Sequence, residues 1–124
     1  RKTGKIRTVP IEIRVPGKKE PIYGSPLNEV GLDRVTPVLP FSAYGTLAMA
    51  HPTNEPNGGS SQFFVYLFES DLTPAGLNLI DGNYTVFGYV TEGEETLRKL
   101  KLGDKITSAR VIAGAENLVP PSRT

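Results

Sequence analysis

Cysteine is absent from all 124 residues. That removes disulfides, thiolate nucleophiles and every cysteine-ligated metal centre from consideration, though it says little about compartment. Lysine and arginine are missing from residues 36–97, a stretch that carries Glu55, Glu69, Asp71, Asp81, Glu92, Glu94 and Glu95. The net charge of +1 hides this segregation, because seven of the 14 basic residues lie within the first 19. A nucleic-acid groove interleaves its cations with its aromatics. Here the two are apart, so no nucleic-acid partner is expected, and the basic start reads as a solvated face or tail. No apolar run approaches the roughly 20 residues that span a bilayer, so no membrane insertion is expected. No apolar segment follows the basic start either, so no targeting peptide is expected in these residues.

Glycine and proline are abundant, at 13 and 11 residues, which favours turns and short strands over long helices. A content of 38% hydrophobic and 22% charged residues fits one globular domain with a single core. Val9, Ile11, Ile13 and Val15 alternate with Pro10, Glu12 and Arg14, the pattern of a half-buried strand. Pro10 has no N–H for a ladder, which argues for an edge, a bulge or a strand start. Pro16-Gly17-Lys18-Lys19 reads as a turn. Residues 21–40 read as irregular, anchored by Tyr23-Gly24 and Val30-Gly31-Leu32. Further strands are expected over 44–50, 62–67, 85–90 and 105–112. On the second of these, Phe63, Val65 and Leu67 share one face and Gln62, Phe64 and Tyr66 the other, with Phe63 expected as plain core. One helix is expected. Thr91-Glu92-Gly93-Glu94 has capping-box spacing, Leu97 and Leu100 share a face, and Gly103 can stop it.

Two runs do not look like generic core. One is Gly58-Gly59-Ser60-Ser61-Gln62-Phe63-Phe64-Val65; the other is Asp81-Gly82-Asn83-Tyr84-Thr85-Val86-Phe87-Gly88-Tyr89-Val90. With Gly45-Thr46-Leu47-Ala48-Met49-Ala50 ahead of them, their order and spacing resemble the cyclophilin family of peptidyl-prolyl isomerases. The likeness runs from about residue 22 to 112 and is most specific over 45–90. It implies a mainly β fold: a cyclophilin-like antiparallel β-barrel, incomplete in this chain, with one or two short capping helices. Residues 1–119 would form this partial domain and 120–124 a C-terminal tail. The partners implied are proline-containing protein or peptide segments, with no cofactor and no metal.

Rotation about an X-Pro bond is opposed by amide resonance, with a barrier of roughly 18–20 kcal/mol. A catalyst of that rotation needs no nucleophile or metal. It needs an apolar slot for the ring, hydrogen bonds to the peptide on both sides, and a donor aimed at the prolyl nitrogen that localises its lone pair. Phe64 offers an aromatic floor on the same sheet face as the Gln62 amide. Leu79, Ile80 and Tyr84 can form the opposite wall. Ala50 is small enough to admit a peptide backbone, and His51 can hydrogen-bond to it. In the cyclophilin family the positions matching Ala50, His51, Gln62, Phe64, Leu79, Ile80 and Tyr84 line the proline groove, so the resemblance makes these seven the expected substrate-binding residues.

The departures from the family pattern are informative. Leu79 stands where many members have tryptophan, a change that usually weakens cyclosporin-type binding. Tyr84 replaces the usual histidine, and His51 a common asparagine. The segment 70–78 is longer than in compact single-domain members. With the Glu116-Asn117-Leu118 ending, it resembles the multidomain cyclophilins of the chloroplast thylakoid lumen and their cyanobacterial relatives. In that branch a helical domain precedes the isomerase-like one, and a role in photosystem II assembly is implied, in the chloroplast thylakoid lumen or the cyanobacterial lumen or periplasm. The family's catalytic arginine, with its Phe-x-x-Gln-Gly-Asp segment, has no match here. Arg7 and Arg14 lie in unrelated context, so the chain is expected to be the C-terminal part of a longer domain, and no catalytic residue is assigned.

Duller readings stand beside these. Gln62 can simply satisfy nearby backbone groups, and a lone His51 in a proline-rich loop is ordinarily a solvated residue. Gly58-Gly59-Ser60-Ser61 lacks the lysine of a phosphate-binding loop and reads as a flexible turn. Glu94, Glu95 and Asp104 read as a helix start and a turn. Three functions remain open: a proline isomerase assisting protein folding, a proline-binding chaperone or scaffold without turnover, and an unrelated structural β-domain.

Overall fold

The computed structural model of the chain describes residues 6–32, 34–68, 78 and 80–120. Among them are five short strands: β1 (Glu12–Ile13), β2 (Ile22–Tyr23), β3 (Thr46–Met49), β4 (Phe63–Tyr66) and β5 (Val86–Tyr89). They form two antiparallel sheets, a β1-β2 ribbon and a three-stranded sheet ordered β4-β3-β5. The architecture is mainly β, as expected, and these sheets do not close into a barrel.

The alternation at the start of the chain sets the first core. Ile11, Ile13 and Val15 point inward and bury with Leu27, each contributing roughly 1.5–3 kcal/mol of transfer free energy. Val9 does not join them. It is exposed and makes an isolated antiparallel bridge to Gly59, because Pro10 interrupts the ladder at the point where its missing N–H makes pairing impossible. The anchors of the irregular region differ in part from expectation, although Leu32 packs against this core. Tyr23 and Val30 are exposed, and the buried residue is Leu27, which opens a 3-10 turn (Leu27–Val30).

Polar contacts fasten the ribbon to the three-stranded sheet. The Glu12 N–H donates to Thr85 Oγ1 at 2.8 Å. Asn57 bridges both ribbon strands, accepting from the Ile11 N–H and donating to the Gly24 carbonyl, each at 3.0 Å. One side-chain amide thereby satisfies two backbone groups that the short ladder leaves open.

In the larger sheet the central strand is the most buried. Thr46 and Ala48 are fully enclosed, and the Thr46 hydroxyl is satisfied by donating to the Ala43 carbonyl at 2.7 Å. The register with β5 pairs Thr46 with Tyr89 and Leu47 with Gly88, then skips to Ala48 with Val86. Phe87 is therefore the extra residue of a β-bulge. In a regular strand Val86 and Tyr89 would face opposite sides; the bulge returns both to the inner face, where they pack with Phe41, Phe64, Tyr66, Ile80 and Tyr84. It also leaves Phe87 on the outer face, edge-on to Phe63 at 6.1 Å. Phe63 is 46% exposed and not the plain core residue its apolar character predicts, because the outer face of β4 has no covering layer among the described residues.

Two expectations near the C-terminus fail. Residues 105–112 form no strand and are exposed throughout; they pair with none of the described strands, and strand conformation without pairing leaves the backbone to water. The helix is a single turn, α1 (Glu94–Leu97), not a run to Gly103. Gly93, at φ 87°, is its cap, and no side chain caps it; the capping box of Thr91 does not form, and Leu100 is exposed. Arg98 stabilises the turn by pairing with Glu94 at 2.6 Å and lying over the Tyr44 ring at 4.4 Å. Of the expected tail, residues 121–124 lie outside the described residues.

Tyr89 gives the inner core a pH dependence. Its hydroxyl donates to the Pro40 carbonyl at 2.8 Å. Burial holds the phenol above its ordinary value of 10.0, the Asp81 carboxylate adds to the rise, and a hydrogen bond with Ser42 opposes it. The folded state therefore keeps a proton that the unfolded state releases near pH 10. This contribution is fully present below pH 10 and is lost as pH climbs through the raised folded value. Denaturant melts across pH 8–11.5 are expected to show an alkaline loss of stability that Tyr89→Phe reduces; an unchanged alkaline limb in that variant would contradict the assignment.

Candidate functional site

The expected site residues come mostly from three places: the end of β3, the start of β4, and the loop that enters β5. Antiparallel pairing sets Ala48 opposite Phe64 and Met49 opposite Phe63. One residue further on, the Ala50 N–H donates to the Gln62 carbonyl at 3.0 Å. Ala50 and Gln62 are therefore neighbours because β3 and β4 are. Strand alternation carried back from β4 sets Gln62 on the face of Phe64. Gln62 is exposed, and its side-chain amide makes no hydrogen bond among the described residues. The reading in which it satisfies its own loop is thus not what the structure has among the described residues.

Phe64 is half-buried and sits in a chain of rings. Its face lies parallel to Phe41 at 5.9 Å and 6°, and it meets Tyr84 at 5.3 Å and 84°. Tyr84 in turn stacks on His51 at 4.2 Å and 17°. Offset and edge-to-face contacts of this kind add roughly 0.5–1.5 kcal/mol each beyond area burial. Ile80 packs against the same cluster, and its N–H donates to Asn78 Oδ1 at 3.0 Å. Phe64, Ile80 and Tyr84 thus converge, with Gln62 and Ala50 beside them. Leu79 lies outside the described residues, as does most of the lengthened segment 70–78.

His51 does not face open solvent. Nδ1 lies 2.8 Å from the Pro52 carbonyl and Nε2 2.8 Å from the Asn83 carbonyl. A neutral ring donates to one of the two, and the tautomer decides which. Either way one end of the ring is anchored to the main chain, and its face stacks on Tyr84. The expected hydrogen-bonding partner for a peptide at position 51 is thus a ring whose nitrogens already lie against two main-chain carbonyls.

Two supporting residues were not singled out from the sequence. Phe41, 1% exposed, underlies both Phe64 and Tyr66. Asp81 accepts the Phe41 N–H at 2.7 Å, tying the loop under the groove to the loop that forms its wall. Only the spacing of Asp81-Gly82 before a strand hinted at this, and it reads equally well as a plain turn. Gly82 carries its own constraint. It has φ 82°, its carbonyl accepts the Leu27 N–H at 3.0 Å, and a Cβ placed there would lie 3.0 Å from Leu27 Cβ.

A cavity of about 380 Å³ lies beside the wall, with Ile80, Tyr84 and His51 on one side and Glu29, Asn28 and Asn54 among its other lining residues.

Comparison with known proteins identifies the family. Residues 1–116 match the model of the family described as cyclophilin type peptidyl-prolyl cis-trans isomerase/CLD. A Synechocystis protein named as a thylakoid lumen peptidyl-prolyl cis-trans isomerase is 56% identical over 117 residues, which are 94% of this chain and 31% of that protein. The chloroplast isomerase CYP38 of Arabidopsis thaliana is 54% identical over 120 residues, 97% of this chain and 28% of its own length. CYP37 of the same plant is 40% identical over 123 residues, again about a quarter of its length at 26%. The chain spans less than a third of the curated relatives it matches.

Proposed function

The chain belongs to the cyclophilin family of peptidyl-prolyl cis-trans isomerases, and from that premise we propose that it supplies the proline-gripping half of an isomerase groove. Cyclophilins bind proline-containing peptide segments. Phe64 would form the floor under the pyrrolidine ring, Ile80 and Tyr84 the wall, and the exposed Gln62 amide one of the hydrogen bonds to the peptide. Ala50 leaves room for the peptide backbone, and Leu79 would extend the wall. The observation that carries this reading is the convergence of Phe64, Ile80 and Tyr84 in one cluster next to the exposed amide of Gln62.

Grip alone does not lower the barrier. The transition state has a twisted C–N bond and a pyramidal nitrogen, and a donor aimed at that nitrogen stabilises it selectively. Residues 36–97, which hold every proposed groove residue, contain no lysine or arginine. In this reading the guanidinium comes from another segment of the whole protein. The same observation favours a second reading, a chaperone or scaffold that holds proline segments without turning them. Relatives named for the thylakoid lumen and the chloroplast support a lumenal site of action, and in this reading the folding clients would include photosystem II subunits.

A protease-coupled isomerisation assay on the whole protein separates the two. Acceleration of cis-to-trans exchange supports the isomerase; binding without acceleration supports the holdase. In either case Gln62→Ala is expected to weaken a bound proline peptide by about 1 kcal/mol, one neutral hydrogen bond. Titrations followed by the Phe64 and Tyr84 resonances measure this, and an unchanged affinity would remove Gln62 from the groove.

A further inference from the structure

We infer that the cavity beside Tyr84 is a subsite for the cationic side chain of a lysine or arginine lying within two residues of the bound proline, an assignment that rests on the groove reading above. The cavity, about 380 Å³, opens between the 3-10 turn that carries Glu29 and the loop that carries His51. It shares Ile80 and Tyr84 with the groove, so a side chain leaving the peptide over the Tyr84 ring enters it directly. Glu29 is one of its lining residues, and its carboxylate has no ion pair or hydrogen bond among the described residues. Asn28 and Asn54 add amide oxygens to the same lining.

No lysine or arginine lines the cavity, and the loop and strand entries that build most of it belong to the cation-free stretch 36–97. The lining suits a long side chain with a charged head. Pro26, Ile80 and the Tyr84 ring can cover the methylene stem, while the head reaches Glu29 and stays partly hydrated. An acidic side chain would meet Glu29 at short range. An apolar one would strip water from the carboxylate and the amides without replacing their hydrogen bonds.

The test uses the intact protein and acetylated Ala-Ala-Ala-Pro-Ala-Ala peptides. A single lysine, glutamine or glutamate is walked through the two positions before and the two after the proline, and affinities are measured by calorimetry. At one position lysine is expected to bind about two- to fivefold tighter than glutamine, as for a partly exposed ion pair, with glutamate weaker than either. The advantage should shrink as salt is raised from 0.05 to 0.5 M. It should vanish in Glu29→Gln while the affinity of the all-alanine peptide is unchanged. The inference is overturned if lysine gains nothing at any position, or if its gain survives Glu29→Gln. Failure of the all-alanine peptide to bind would bring down the groove reading and the subsite together; binding of that peptide without a lysine preference would bring down the subsite alone.

Discussion

Phe41→Ala is expected to lower the stability of the protein by about 3–5 kcal/mol, the range for deleting a fully buried phenyl ring, and to weaken proline-peptide binding as well. The residue is 1% exposed and is the largest apolar side chain enclosed by the sheet's inner face. Its ring carries Phe64 in parallel contact and Tyr66 edge-on, so truncation removes the support under the groove floor. Collapse of the neighbours into the void would tilt Phe64 away from Tyr84. Phe41→Leu separates the two consequences. It restores most of the volume and should cost under about 1.5 kcal/mol, but it cannot reproduce the parallel ring contact, so the loss of peptide affinity should persist in part. Urea unfolding and peptide titration of both variants decide the matter. A Phe41→Ala loss below about 1 kcal/mol would mean that Phe64 holds its position without the ring beneath it.

The dependence on Phe41 also explains what could and could not be seen in the sequence. Strand β4 was legible because two signals agreed: the alternation of Gln62, Phe64 and Tyr66 against Phe63, Val65 and Leu67, and the glycine-serine turn before it. The convergence of Phe64, Ile80 and Tyr84 was legible only through family likeness, since nothing local says that a loop near residue 80 folds back over β4. Phe41 was hidden because it lies in an irregular stretch with no periodicity, and its burial is created by two partners that are distant in sequence. The bulge at Phe87 was hidden for a related reason. A period-two reading assigns Val86 and Tyr89 to opposite faces, and only the register with β3 brings them together. Expectations failed where a segment has no partner: 105–112 has strand-forming residues but pairs with no described strand, and Phe63 has core character but no layer above it among the described residues. Propensity describes what a segment would do if it were covered.

Gly82→Ala is expected to cost about 2–4 kcal/mol, from two sources that a control can separate. The backbone at Gly82 has φ 82°, a left-handed conformation that strains any residue with a Cβ by roughly 1–2 kcal/mol. The new methyl would also lie 3.0 Å from Leu27 Cβ and 3.0 Å from its Cγ, too close to remain. Leu27 is in turn buried against Ile11, Ile13 and Val15, so it has little room to retreat, and overpacking of this kind adds roughly 1–3 kcal/mol. Gly17 has the same φ of 82° with nothing within 4 Å of its virtual Cβ. Gly17→Ala therefore reports the backbone strain alone, and the excess in Gly82→Ala measures the contact with Leu27. Leu27→Ala in the Gly82→Ala background should recover only the part of that excess owed to the Cγ and Cδ1 contacts, since the Cβ at 3.0 Å remains, and such coupling marks residues in direct contact. The Gly82 carbonyl accepts the Leu27 N–H and Asp81 holds the Phe41 N–H, so pushing Leu27 away also drags the loop that sets Ile80 and Tyr84. The variant should consequently lose peptide affinity while Gly17→Ala keeps it. Equal costs for the two substitutions, with peptide binding intact in both, would show that the Leu27 core and the groove wall are mechanically independent.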